Sequence, residues 1–137
     1  MNLQQILKHS VYISRATGKT FRWGRNDCMT FLFGWYDYVF DTDHLPSIQE
    51  KYWDVRSAIK FWHDYPMSSR QWLFLRGFRE IHDDSIQEGD LRIEDRSAFP
   101  SAYIFHNGAW WTVVESDQTR AYTNEAVVNK TTHWRHA

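Results

Sequence analysis

Leu3, Ile6, Leu7 and Val11 recur at three- and four-residue intervals and lie on one face of a helix expected over residues 2–15. The stretch from Ala16 to Arg25, with Thr17, Gly18 and Gly24, reads as a loop. A second helix starts at Asn26 or Asp27, both residue types that cap helix N-termini. Its Cys28, Leu32, Trp35 and Val39 fall on one stripe, so it is expected to be the central, buried helix. Ser47-Ile48-Gln49-Glu50 has the form of a capping box. It predicts a third helix running to about His63, with Ile48, Tyr52, Val55, Ile59 and Trp62 inward. Pro66 stops that helix, and Gln71 to Arg76 reads as a short fourth one ending at Gly77, a residue suited to a C-terminal cap.

Near Ile81 the helical period gives way to short alternating runs and turn residues. Glu88-Gly89-Asp90 turns into a strand from Leu91 to Ile93. Ala102 to His106 and Trp110 to Glu115 flank Asn107-Gly108, the strongest short hairpin signal in the chain. Arg120 to Thr123 adds a further strand. Helices first and a meander afterwards predict an α+β fold, with N-terminal helices packed on a small antiparallel sheet. The 137 residues suffice for one core, so residues 1–137 are read as a single domain.

Composition narrows the function. Lys and Arg total 16 against 17 Asp and Glu, and that balance argues against a dominant phosphate-binding role such as nucleic-acid binding. One cysteine leaves no intramolecular disulfide and no multi-cysteine zinc site. The most apolar stretch, Met29 to Phe40, is too short for a membrane span and contains Asp37. The N-terminus lacks the apolar block of a secretory signal. Aromatic residues make up 18% of the chain, which is high. Core filling is the simpler use for so many rings, and an exposed surface towards another protein is the alternative.

The segment that carries chemistry is Phe21-Arg22-Trp23-Gly24-Arg25-Asn26-Asp27-Cys28. Cys28 falls in the first turn of the expected central helix, where unpaired N–H groups and the helix dipole favour thiolate over thiol. A thiolate there is a nucleophile if an imidazole pairs with it. The plainer reading is a buried cysteine acting as a small apolar residue. Asp27 reads as a helix cap, or else as an acid facing the thiol and opposing its ionisation.

The W-G-x-x-D-C pattern leading into a helix resembles the NlpC-type cysteine peptidases, the bacterial branch of the papain-like fold. It is similar, more closely, to a family of uncharacterised tailed-phage proteins related to them. The chain shares Phe21, Trp23, Gly24, Asp27 and Cys28, then Gly89, Asp90 and Leu91, then Trp134 and Arg135, in that order. The resemblance implies a papain-like fold in which a helix-borne Cys packs on an antiparallel sheet. A His on the first core strand would serve as base, with a third polar residue on the next strand to orient it. It also implies a phage tail or virion location after synthesis in the host cytoplasm. The partners would then be other tail or virion proteins, or host peptidoglycan in the enzymatic branch.

The chain departs from that pattern at the base. In the natural register Ser101 takes the histidine's place, and a serine hydroxyl is no general base near neutral pH. His106 lies five residues on, about 16 Å along a strand. A second register makes His106 the base and runs the core strand from Ala109 to Val114, but it places Asn107-Gly108 inside a strand. If the site is active, Cys28 is the nucleophile, His106 the base, and Glu115 or Asp117 the orienting residue.

His9, His44 and His63 are read as solvent-facing on helices, and His82, His133 and His136 as turn or tail residues. No His pair has i, i+4 spacing, so no metal site is expected, and no glycine-rich loop suggests a nucleotide or other cofactor. Asp83, Asp84, Glu88 and Asp90 read as a solvated turn. Together these features favour a tail-associated structural or assembly component over a cysteine hydrolase acting on peptidoglycan.

Overall fold

The computed structural model describes residues 1–82, 84–95, 100–114, 119–122 and 131–136, the backbone alone for 120–122. The expected α+β arrangement is present. Among the described residues four helices, α1 (Leu3–Ala16), α2 (Cys28–Phe40), α3 (Val55–Asp64) and α4 (Ser69–Leu75), accompany six strands. The strands are β1 (Phe78–Ile81), β2 (Leu91–Asp95), β3 (Pro100–His106), β4 (Ala109–Val113), β5 (Thr119–Tyr122) and β6 (Thr131–His136). They form one antiparallel sheet in the order β1-β6-β2-β3-β4-β5.

Helix α2 is the centre of the molecule. It is apolar nearly all round, and nine of its residues are buried. A helix with apolar residues on every side needs cover on every side. Its Leu32, Phe33 and Trp35 share one core with Leu91 and Ile93 of β2, Ala102 and Ile104 of β3, and Trp134 of β6. Most aromatic rings are spent here: Phe33 stacks on Trp72 at 4.4 Å, and Trp35, Tyr36 and Phe40 pack round Phe78. Trp53 and Phe74 are the conspicuous exceptions, 73% and 71% exposed.

The start of α2 is set by Asp27, which fulfils its capping role. Its carboxylate accepts the N–H groups of Met29, Thr30 and Gly24, while Thr30 Oγ1 accepts the Asp27 N–H. Gly24 has φ +77°, and a Cβ there would meet the Tyr52 carbonyl oxygen at 2.0 Å. The Gly24 carbonyl in turn accepts the Glu50 N–H at 2.8 Å. The glycine of the W-G-x-x-D-C motif is thus required by a close backbone crossing.

Several sequence expectations about the elements need correction. The helix predicted from Ser47 does not form: residues 45–47 make a short 3₁₀ turn, and Glu50 has φ +61°. Ser47 Oγ instead donates to the His44 carbonyl. The third helix begins eight residues later, where Asp54 and Ser57 make the capping box. Ile48 and Tyr52 are buried as expected, but from a turn, and Val55 and Ile59 are more than a third exposed. Residues 131–136, expected in a tail, form β6 in the middle of the sheet. Finally, the face of α1 bearing Leu3, Ile6, Leu7 and Val11 is its outward one, and His9, Ile13 and Ala16 are the buried residues.

The hairpin is where the sequence puts it, with Asn107 and Gly108 at φ 51° and 79° between β3 and β4. The register running a strand through these two residues is therefore wrong. Behind the sheet, Arg92 and Glu94 are buried as an ion pair at 3.2 Å, with the guanidinium over Tyr103.

Gly24→Ala should destabilise the fold by about 2–4 kcal/mol, because it adds a backbone clash to a left-handed conformation. Urea denaturation measures it, and an unchanged midpoint would show that the crossing relaxes freely.

Candidate functional site

Cys28 is the first residue of α2 and is half-buried. Its Sγ donates to the Pro100 carbonyl at 3.7 Å. The start of β3 therefore meets the thiol through a backbone carbonyl. The inward positions of β3 are Ala102 and Ile104, so Ser101 belongs to the opposite face, paired across from Glu94. Tyr52 lies close to the thiol. It is 1% exposed, with its hydroxyl near the Asp27 and Trp62 side chains. Burial first, then the charges of Asp27 and Cys28, raise its pKa far above the ordinary tyrosine value. Met29 and Pro100 also line an apolar cavity of about 250 Å³ with Trp62 and Trp72.

His106 stands at the far end of β3, opposite Ala109 across the hairpin. Glu115 and Asp117 lie outside the described residues. The structure thus does not bring Cys28 and His106 together. The remaining histidines are engaged elsewhere: His44 against Tyr36 and Trp72, His63 with Asp64, His82 with Glu80, His133 on Trp110, and His136 against Phe40.

His106 belongs instead to a cluster that sequence reasoning missed. His9 of α1 is fully buried, where solvent exposure was expected. Its Nδ1 accepts from the Trp35 indole N–H at 3.0 Å, and its Nε2 lies 2.8 Å from Glu88 Oε2. His106 Nδ1 lies 3.0 Å from the same oxygen, and the Asn107 N–H donates to Glu88 Oε1. Asp84 and Glu88 are exposed, Glu88 in a turn as expected, but its carboxylate is tied to two imidazoles. Asp90 departs from the expected solvated turn, being 1% exposed and bonded to Arg135, and Asp83 lies outside the described residues.

The protons of this cluster can be assigned. An indole N–H only donates, so it occupies the Nδ1 lone pair of His9. The neutral ring then carries its proton on Nε2 and gives it to Glu88. His106 likewise gives its Nδ1 proton to Glu88. Burial lowers the His9 pKa, and the bond to Glu88 only partly offsets this. Burial alone would raise the Glu88 pKa, but the Asn107 N–H and the two imidazoles outweigh it and hold the carboxyl below its usual value.

The three ligand-type atoms lie within 4.8 Å of one another, and two imidazoles with a carboxylate are a common donor set for zinc or iron. A metal-bound histidine, however, gives its other ring N–H to an acceptor. The second nitrogen of His9 faces a donor, Trp35. A cation at Nε2 would require either an imidazolate or rupture of the indole bond. The arrangement is that of a proton-filled network tying α1, α2 and the β3–β4 hairpin together.

Residues 4–132 match the family described as Domain of unknown function (DUF6950). The chain belongs to this family. No curated protein matches the chain, and no solved structure does. The DUF6950 match spans both ends of β3, the Cys28 end and the His106 end.

Two results should follow from the cluster. His9→Ala leaves an indole N–H and a carboxylate oxygen short of partners and opens a cavity, so urea denaturation should show a loss of about 2–4 kcal/mol. The same loss from His106→Ala would contradict the central place of His9. Stability should also fall with acid. His9 has its pKa lowered on folding, so its contribution is complete above the unfolded histidine value of about 6.5 and is lost as pH falls below it. A second proton would also set an imidazole N–H against the Trp35 N–H. Glu88, lowered too, loses its contribution at lower pH, as its carboxyl protonates. Thermal melts between pH 8 and pH 4 read both losses, and a flat profile would contradict the assignment.

Proposed function

We propose that this DUF6950 protein is a non-catalytic structural or assembly component of a tailed-phage particle, built on a papain-like fold. The phage setting and the papain-like fold rest on the ordered resemblance carried by Trp23, Gly24, Asp27, Cys28, Gly89, Asp90 and Trp134. The single observation supporting the non-catalytic reading is the arrangement of β3. The strand meets Cys28 with a prolyl carbonyl and holds its imidazole at the opposite end, bound to Glu88. A nucleophile without a base in reach loses most of its rate advantage.

The motif residues have sufficient structural employment. Gly24 permits the backbone crossing, Asp27 caps α2, and Arg135 holds Asp90. A motif that survives for folding alone is the expected remnant of a lost active site.

A cysteine hydrolase acting on peptidoglycan is the second reading. One observation favours it: the thiol sits at a helix N-terminus beside the buried Tyr52 hydroxyl.

The alkylation rate of Cys28 across pH separates the two, with urea-unfolded protein as control. The structural reading expects a native rate that follows an ordinary thiol, with half-ionisation near or above about pH 8.5. A plateau well below that value, together with loss of peptidoglycan cleavage in Cys28→Ala, would establish the hydrolase instead. Detection of the protein at fixed copy number in purified particles is the second expected result.

A further inference from the structure

Helix α1 is held to the body by His9, Ile13 and Ala16 and shows a second apolar side, Leu3, Ile6, Leu7 and Val11, to solvent. Leu3 is 73% and Leu7 59% exposed, with Ile6 and Val11 beside them. The orientation is fixed from beneath: His9 is buried on Trp35 and Glu88, and Lys8 pairs with Asp41 at 2.8 Å. The stripe is therefore a built face of the folded domain.

The segment that carries the stripe is basic in sequence. Residues 1–26 carry five of the chain's sixteen Lys and Arg and none of its seventeen Asp and Glu. Arg15 continues the four-residue spacing of Leu3, Leu7 and Val11. Arg15, Lys19 and Arg25 line one groove of about 540 Å³, together with Tyr38. Glu50 already pairs with Arg25. The groove's own acid, Asp37, is occupied by the N–H groups of His44 and Leu45 and by the Thr42 hydroxyl. Arg15 and Lys19 are left without an acidic partner among the described residues.

We propose that α1 is a docking face for an anionic phospholipid bilayer. Leu3, Ile6, Leu7 and Val11 enter the interface while Arg15 and Lys19 meet headgroup phosphates. Four partly exposed aliphatic side chains offer less than one acyl chain, and one acyl chain alone holds a protein only marginally. A basic patch beside them supplies the second signal that stable adsorption needs, since each cation gains from the negative leaflet. An acidic groove on a protein would meet the same charges. The bilayer is favoured because the stripe has no aromatic or arginine anchor at its centre, the residues that carry protein interfaces. Tyr38, partly exposed at the groove, is of the type that settles at headgroup level. A second copy of the chain would bring the same uncompensated cations and repel.

Co-sedimentation with vesicles tests this, using phosphatidylcholine alone and phosphatidylcholine with phosphatidylglycerol in equal parts. The full chain should pellet with the anionic vesicles and not with the neutral ones, and salt should release it. Leu7→Glu and the double variant Arg15→Glu/Lys19→Glu should each weaken binding by at least about tenfold. Both act at exposed positions, so their far-ultraviolet spectra and urea midpoints should match the parent's. Absence of pelleting with anionic vesicles would overturn the proposal, as would parental binding by both variants. Displacement by inorganic phosphate alone would assign the groove to a small anion and overturn it too. A change of oligomeric mass in Leu7→Glu without vesicle binding would assign the stripe to a protein contact.

Discussion

The Asp27 carboxylate, 2% exposed, gathers the N–H groups of Met29, Thr30 and Gly24, and in those few atoms the loop ends and α2 begins. The rest of the architecture depends on that starting point. Helix α2 is covered on every side, so a shift of its first turn would rotate Phe33, Trp35 and Tyr36 out of their packing with Trp72 and Phe78. The same cap fixes Cys28 one residue further on and so aims the thiol at the start of β3. The carboxylate also holds Gly24 where it crosses the 50–52 segment, which joins the first helical pair to the third helix.

The two ends of β3 have diverged in chemistry. At one end a thiol meets a backbone carbonyl. At the other, an imidazole shares a carboxylate with a second imidazole from α1. The second end is the better-connected one, because Trp35 links it back to the central helix. The polar groups at this end position α1, and the outward turn of the Leu3–Val11 face follows from that positioning.

What the sequence made legible was local. The Asp27 cap, the Gly77 terminus of α4 and the Asn107-Gly108 hairpin are decided by a few neighbouring residues, and each stands where those residues put it. Ser47-x-x-Glu50 is the standard capping-box pattern and Asp54-x-x-Ser57 is not, so local sequence favours the wrong start. The choice falls to Asp54 because the Gly24 carbonyl takes the Glu50 N–H and pulls residues 50–52 into a turn. Strand β6, Thr-Thr-His-Trp-Arg-His, has no apolar alternation, since Trp134 alone is buried there. The candidate site was half legible. Cys28 was found from its place at a helix start, whereas His9, Glu88 and His106 meet across separations of 79 and 18 residues. The i, i+4, i+7 spacing of His9, Ile13 and Ala16 was the one signal that His9 faces inward.

The position of β6 between β1 and β2 has a consequence for how the molecule is made. Strand β1 has no sheet neighbour until residues 131–136 arrive, and those residues must find a slot between strands laid down some fifty and forty residues earlier. The meander β2–β5 can form by short-range closure, whereas this last insertion is a long-range closure and sets the pace of folding. A chain still on the ribosome would therefore hold its meander and helices with two open strand edges facing each other. Until they are bridged, those edges are the part of the nascent protein most open to wrong pairing.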